Sequence, residues 1–188
     1  MSDQNLLNQI RRDLSDSIKT YNDWPKPGVA FKDIQSILEF PELALQAERG
    51  LVELLPHNGR FDFDAVLAFD ARGFIFGYQL AKVASVKLIM ARKPGKLPGD
   101  CITQKFTKEY GEESIQIQMG MINPGDRVLV HDDVLATGGT AEAAEKLITA
   151  RGGTLAGYNF LIELQELGGR EVLKKYVSDE KIASLLVF

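Results

Sequence analysis

The hydrophobic positions change their period along the chain. In residues 3–20, Leu6, Leu7, Ile10, Leu14 and Ile18 recur at helical spacing. The stretch WPKPGVAFKDI, residues 24–34, ends that pattern with two prolines and a glycine. A second helix is expected over 41–55, with Pro41 in its first turn and Leu43, Ala44, Ala47, Leu51 and Leu54 on one side. From there short apolar runs alternate with amphipathic ones. AVLAF (65–69), KLIMAR (87–92), RVLVHD (127–132) and TLAGYNFLIEL (154–164) predict strands, and ASLLVF an edge strand at the end. GFIFGYQLAKVA (73–84) and TAEAAEKLITA (140–150) predict the helices between them. SIQIQMG (114–120) alternates strictly and predicts a half-exposed strand, while 95–113 is a long polar segment.

Strands alternating with helices imply βαβ units, hence an α/β fold with a mostly parallel central sheet flanked by helices. Right-handed crossovers put helices on both faces. Ligands in such folds bind beyond the carboxyl ends of the strands. That rule gathers three loops on one rim: FDARG after 65–69, ARKPGK after 87–91, and HDDVLATGGT after 127–131.

Composition narrows the picture modestly. The 188 residues suit one domain with a substantial core, and 45% hydrophobic with 26% charged residues is ordinary for a soluble protein. Cys101 is the one cysteine, so no intrachain disulfide and no cysteine-rich zinc site is expected. The net charge of −4 gives no general reason to bind nucleic acid. The N-terminal residues lack a signal pattern and no apolar run is long enough to span a bilayer, so the expected location is cytoplasmic, away from membranes.

The third loop carries the most chemistry. Gly138 and Gly139 allow positive φ and close backbone approach, and Thr140 is placed to cap the helix that follows. Free N–H groups at such a terminus attract an anion. No lysine follows the glycines, so this is not a Walker A loop. By spacing alone a plain structural turn stays open. Asp132 and Asp133 stand beside the loop, where their charge would repel a bare phosphate. Carboxylates beside an anion cradle suit a sugar phosphate, with amides on the phosphate and acids on the hydroxyls. One acid capping the loop and one solvated is the plainer alternative.

VLVHDDVLATGGTAEAA resembles the 5-phosphoribosyl 1-pyrophosphate signature of type I phosphoribosyltransferases. PGVAFKDI (27–34), FDARGFIFG (69–77), RKPGKLPG (92–99) and EYGEESIQIQ (109–118) resemble, in order and spacing, the adenine-specific members of that family. The match runs from about Tyr21 to Glu166. The resemblance implies the type I phosphoribosyltransferase fold as a single domain over 1–188. Residues 1–40 would form an N-terminal helix and base-covering hood, and 95–113 a mobile lid loop. It implies that adenine and 5-phosphoribosyl 1-pyrophosphate give AMP and pyrophosphate, with Mg²⁺ held mainly by substrate rather than by protein ligands. A homodimer is also implied.

By the same resemblance, Asp132 and Asp133 bind the ribose hydroxyls, and Ala136, Thr137, Gly138, Gly139 and Thr140 hold the 5′-phosphate. Ala71, Arg72, Arg92, Lys93 and Lys96 face the pyrophosphate. Val29, Ala30, Phe31 and Lys32 cover the adenine, with Leu135 against its other face. Glu109 is the catalytic glutamate of the lid and Tyr110 its neighbour. Three positions depart from the family's usual pattern: Lys32 stands for Arg, Ala71 for Ser and His131 for Val. His131 is expected to be structural. Two alternatives remain: a 6-oxopurine transferase, kept open by Lys32, and a non-catalytic regulator that binds the same pyrophosphate ester.

Overall fold

A computed structural model describes residues 3–55, 61–108 and 111–188. The chain forms two compact units that divide between Glu53 and Leu54. The N-terminal unit contains helix α1 (Asp3–Ser17), strands β1 (Lys19–Asn22) and β2 (Ala30–Asp33), the short helix α2 (Gln35–Leu38) and helix α3 (Pro41–Glu53). Leu7, Ile10 and Leu14 bury one stripe of α1, as the spacing predicts, together with Ile34, Ile37, Ala47 and Leu51. Strands β1 and β2 pair antiparallel, with Tyr21 opposite Phe31 and Thr20 opposite Lys32. The sequence reading did not foresee this hairpin. Its loop turns at Asp23 and Gly28, both with positive φ, and Asp23 Oδ1 accepts a 2.7 Å bond from the Gly28 amide.

The second unit is built on a five-stranded sheet of order β4-β3-β7-β8-β9, parallel throughout. Its strands are β3 (Ala65–Phe69), β4 (Lys87–Ala91), β7 (Arg127–Leu135), β8 (Thr154–Glu163) and the edge strand β9 (Ile182–Val187). Helix α4 (Gly73–Ala84) links β3 to β4, α5 (Gly139–Ala150) links β7 to β8, and the short α6 (Gly169–Leu173) lies between β8 and β9. All five residues of β3 are buried, because elements cover both faces of the sheet and the strand needs no polar side. Leu67, Phe69, Val128 and Val130 join Ala144, Leu147 and Ile148 of α5 in one core cluster, while Ala68 and His131 meet α4.

The segment expected to be a polar loop is largely strand. β5 (Cys101–Lys108) and β6 (Gly111–Gln118) form an antiparallel hairpin, joined to the sheet's rim by reciprocal main-chain bonds between Arg92 and Gln116 of 2.9 and 2.7 Å. β5 escaped the sequence reading because Gln104 stands between Ile102 and Phe106 on its inward side and blurs the alternation. Phe106, Ile115 and Ile117 join the core.

Two glycines on α4 set how closely this helix approaches the sheet. A methyl group on Gly77 would stand 2.6 Å from Ala68 Cβ, and one on Gly73 would stand 2.8 Å from Asp132 Oδ1. Helix propensity favours Gly77→Ala by up to about 1 kcal/mol. Overpacking costs about 1–3 kcal/mol and wins, since Ala68 has no flexible end to move aside. Gly77→Ala should lower the melting temperature by roughly 2–8 °C, read by thermal denaturation with circular dichroism. An unchanged or higher midpoint would mean that α4 has room to retreat.

Candidate active site

The strand order reverses between β3 and β7. From β3 the chain passes to β4 on one side, and from β7 to β8 on the other. β7 also outruns its neighbour. Its pairing with β3 stops at His131 opposite Ala68, whereas its pairing with β8 continues to Leu135 opposite Glu163. Beyond Ala68 the β3 chain turns away through Asp70 and a cis Asp70–Ala71 peptide into α4. The unpaired side of Asp132–Leu135 therefore opens at the switch point, where α/β sheets bind ligands.

Three expected loops line up there, in the order of β4, β3 and β7. The Asp70 amide donates to Ala91 O at 3.0 Å, and the Asp70 carboxylate accepts from Arg92 Nε at 3.3 Å. Arg92 Nη1 also donates to Lys96 O at 3.0 Å. Lys93 Nζ lies 3.9 Å from Glu113 Oε1 across exposed surface, a pairing of little energetic weight. Arg72 precedes α4, an unfavourable place for a cation near a helix dipole. Its Nε lies 2.7 Å from Asp133 Oδ2, which supplies the local reason for the charge.

Burial alternates along the end of β7. Asp132 and Val134 are half-buried, and His131, Asp133 and Leu135 are buried. Leu135, expected against a ligand, is 1% exposed and packs in the core, and Val134 is the open apolar side chain beside the acids. His131 is wholly buried, with Nδ1 donating to Asn159 Oδ1 at 3.0 Å; burial brings its pKa down to about 4, so it is neutral at physiological pH. Asp132 Oδ1 accepts the Asp133 amide at 2.9 Å and lies near the first turn of α4. Enclosure and the adjacent Asp133 push the Asp132 carboxyl well above its ordinary range. Enclosure also raises Asp133, against the opposing pull of the Arg72 guanidinium.

The glycine loop follows. Gly138 takes the left-handed conformation, φ 82°, and α5 starts at Gly139 with no side-chain cap. Thr140 is therefore corrected from cap to first-turn residue: the glycine at the N-cap turns the chain where a capping side chain would otherwise stand. An uncapped helix start offers its first N–H groups to an anion. Glu142 would oppose that anion, but its carboxylate is drawn aside by the Tyr176 hydroxyl at 2.6 Å and by Lys146 at 3.1 Å, which lower its pKa.

Val29, Ala30, Phe31 and Lys32 lie in the N-terminal unit, at and along β2. Phe31 meets Trp24 edge-on, with ring centroids 4.4 Å apart, and Lys32 Nζ donates to Thr20 Oγ1 at 3.0 Å. Glu109 and Tyr110 lie outside the described residues. Asp70 and the Gly168–Gly169 turn were missed by the sequence reading. The strand-end rule would have found the turn, since it follows β8 on the same rim.

The acids fit a cation carried by a ligand. Among the described residues no three His, Cys, Asp or Glu side chains converge as a metal cage. The two crowded carboxyls nonetheless titrate high, which an incoming Mg²⁺ with its own oxygen ligands would relieve. Among the described residues no helix is long and apolar enough to cross a membrane.

A family model described as phosphoribosyl transferase domain matches residues 33–181. The chain is 43% identical over 175 residues to an adenine phosphoribosyltransferase of Thermosipho africanus, covering 93% of this chain and 99% of the relative. A crystal structure of adenine phosphoribosyltransferase from Rhodothermus marinus superposes with a TM-score of 0.86 at 38% identity, covering 96% and 99% of the two chains. The Giardia lamblia enzyme complexed with 9-deazaadenine gives 0.85 at 34% identity, covering 94% and 97%.

The crowded acids predict a stability effect opposite to their functional one. A carboxyl raised in the folded chain makes the fold bind more protons than the unfolded chain, so stability falls as pH rises through that window. Asp132→Asn removes the loss. Its melting temperature should exceed the parent's by roughly 2–4 °C at neutral pH, by calorimetry. The gap should close near about pH 4. A lower midpoint for Asp132→Asn at neutral pH would show that this charge is not a burden to the fold.

Proposed function

The chain belongs to the phosphoribosyltransferase family, and on that footing we propose that it transfers the phosphoribosyl group of 5-phosphoribosyl 1-pyrophosphate to adenine, giving AMP and pyrophosphate. The observation that carries this reading is the pairing of two adjacent acids, Asp132 and Asp133, with an uncapped, glycine-led helix start at one sheet switch point. No simple phosphate site needs both, and a ribose 5-phosphate does. The relatives with the same architecture are adenine phosphoribosyltransferases, one of them complexed with 9-deazaadenine.

In this mechanism the 5′-phosphate lies on the amides of Ala136–Thr140, with the Thr137 and Thr140 hydroxyls as added donors. Asp132 and Asp133 accept the ribose hydroxyls, and the exchange of a shared enclosure for these donors lowers their proton affinity. The pyrophosphate faces Ala71 through its amide and Arg72, Arg92, Lys93 and Lys96 through their charge. The C1–pyrophosphate bond breaks as the leaving group departs, and Mg²⁺, held mainly by the substrate's own oxygens rather than by protein ligands, would supply neutralisation of the charge that develops on it. Adenine N9 attacks C1 of an oxocarbenium-like ribose, and Glu109 handles the proton on the base. Val29, Ala30, Phe31 and Lys32 cover the base, with Val134 rather than Leu135 as the apolar contribution of β7. The preference for adenine over a 6-oxopurine is supported by the relatives, which are adenine phosphoribosyltransferases. A lid over 95–113, a homodimer and a cytoplasmic location complete the proposal.

The test is AMP formation with Mg²⁺ from adenine, run beside hypoxanthine, guanine and xanthine. Adenine alone should turn over, and Glu109→Ala should lower kcat by about 10²–10⁴-fold. Turnover of an oxopurine would overturn the specificity. Binding of the pyrophosphate ester with no turnover of any base would instead make the chain a regulator.

A further inference from the structure

The loop assigned to the 5′-phosphate rests on a second turn. After β8 the chain passes through a 3-10 turn, Gln165–Leu167, to Gly168 with φ 68° and then Gly169, the first residue of α6. A methyl group on Gly169 would overlap Ala136 O and stand 2.8 Å from Leu135 Cδ1 and 3.0 Å from the Gly138 amide nitrogen. Conversely, one on Gly138 would stand 2.9 Å from Gly169 O and 3.3 Å from Val172 Cβ. The turn is therefore the floor of the loop, backbone against backbone.

The next residue holds that floor. Arg170 grips Glu163 as a fork, Nε to Oε1 at 2.9 Å and Nη2 to Oε2 at 2.5 Å. Its Nη1 donates to Ile182 O at 2.9 Å and Asp179 Oδ1 at 3.1 Å, and Nη2 reaches Ser184 Oγ at 3.4 Å. A guanidinium has five N–H donors, and these partners take all of them. Arg170 thus has none to offer a ligand, although it adjoins the loop. Glu163, which it grips, is 3% exposed and lies opposite Leu135 in the β7–β8 register, one residue before Ala136.

The geometry points to Arg170, gripped by Glu163, as a positioning residue for the 5′-phosphate: it fixes Gly168–Gly169, which fix the amides of Ala136–Gly138. This rests on the phosphoribosyl reading of the loop. Small displacements of such donors weaken binding steeply. The pyrophosphate contacts and, Val134 of β7 apart, the adenine contacts lie on other elements and are not governed by this clamp.

The test is steady-state kinetics with product inhibition on the full chain, comparing Arg170→Lys and Glu163→Gln with the parent. Arg170→Lys keeps the charge and loses the fork. KM for 5-phosphoribosyl 1-pyrophosphate and the inhibition constant of AMP should each rise about tenfold. KM for adenine and the inhibition constant of pyrophosphate should stay within about twofold. Combining the two changes should add little to either, as for groups acting as one unit. Asp179→Asn loosens the same guanidinium from its exposed side with the core intact, and should move the same two constants by about twofold. Equal shifts in all four constants, or a lowered melting temperature with unchanged kinetics, would overturn the proposal. The underlying reading fails separately: no AMP formed by the parent, or AMP affinity untouched by Thr137→Ala with Thr140→Ala, would remove the phosphate from this loop.

Discussion

The structure depends on a mismatch of strand lengths. β7 continues past the end of its pairing with β3 while remaining bonded to β8. That leaves a stretch of extended backbone with one side paired and the other open. The groups assigned here to the ribose phosphate are placed relative to that open side, the acids on the strand itself and the start of α5 directly beyond, with Arg72 across from the acids. Had β3 kept pace, Asp132 and Asp133 would sit between two strands, with no open side.

The open side is costly to maintain. Two neighbouring carboxyls are enclosed where like charge and poor solvation both resist ionisation. The fold offsets part of that with Arg72 on Asp133 and the first turn of α4 near Asp132, which Gly73 lets approach. The proposed anion site is treated in the opposite way. Its helix start is left uncapped, and the nearest acid, Glu142, is tied off by Tyr176 and Lys146. Positive and negative recognition are thus kept apart over a few residues of one loop.

Where period alone decides an element, the sequence is a good guide. β3 and α4 have the limits that their apolar spacing suggests, β3 because it is covered on both faces and α4 because it buries one stripe, Phe76, Leu80 and Ala81. β5 is hidden by Gln104 at an inward position, and the β1–β2 hairpin by a loop of proline and glycine that reads as irregular chain. In the site, residue types marked the acids and the glycine loop, but not which side chain of β7 stays open. Val134 against Leu135 is a question of strand phase, and the phase is set by the register with β8. Asp70 and Arg170 are legible only in space, since their partners Arg92 and Glu163 come from other loops and strands.

The contact between Gly138 and Gly169 has an evolutionary corollary. Most packed pairs drift by exchange, one residue growing as its neighbour shrinks. Here both members are already the smallest residue available, and each would strike main-chain atoms of the other's segment. No compensating swap exists, so neither position can change first. Variation in this region must instead come from moving the β8–α6 turn as a whole, by altering its length or its anchorage, a rarer event than point substitution.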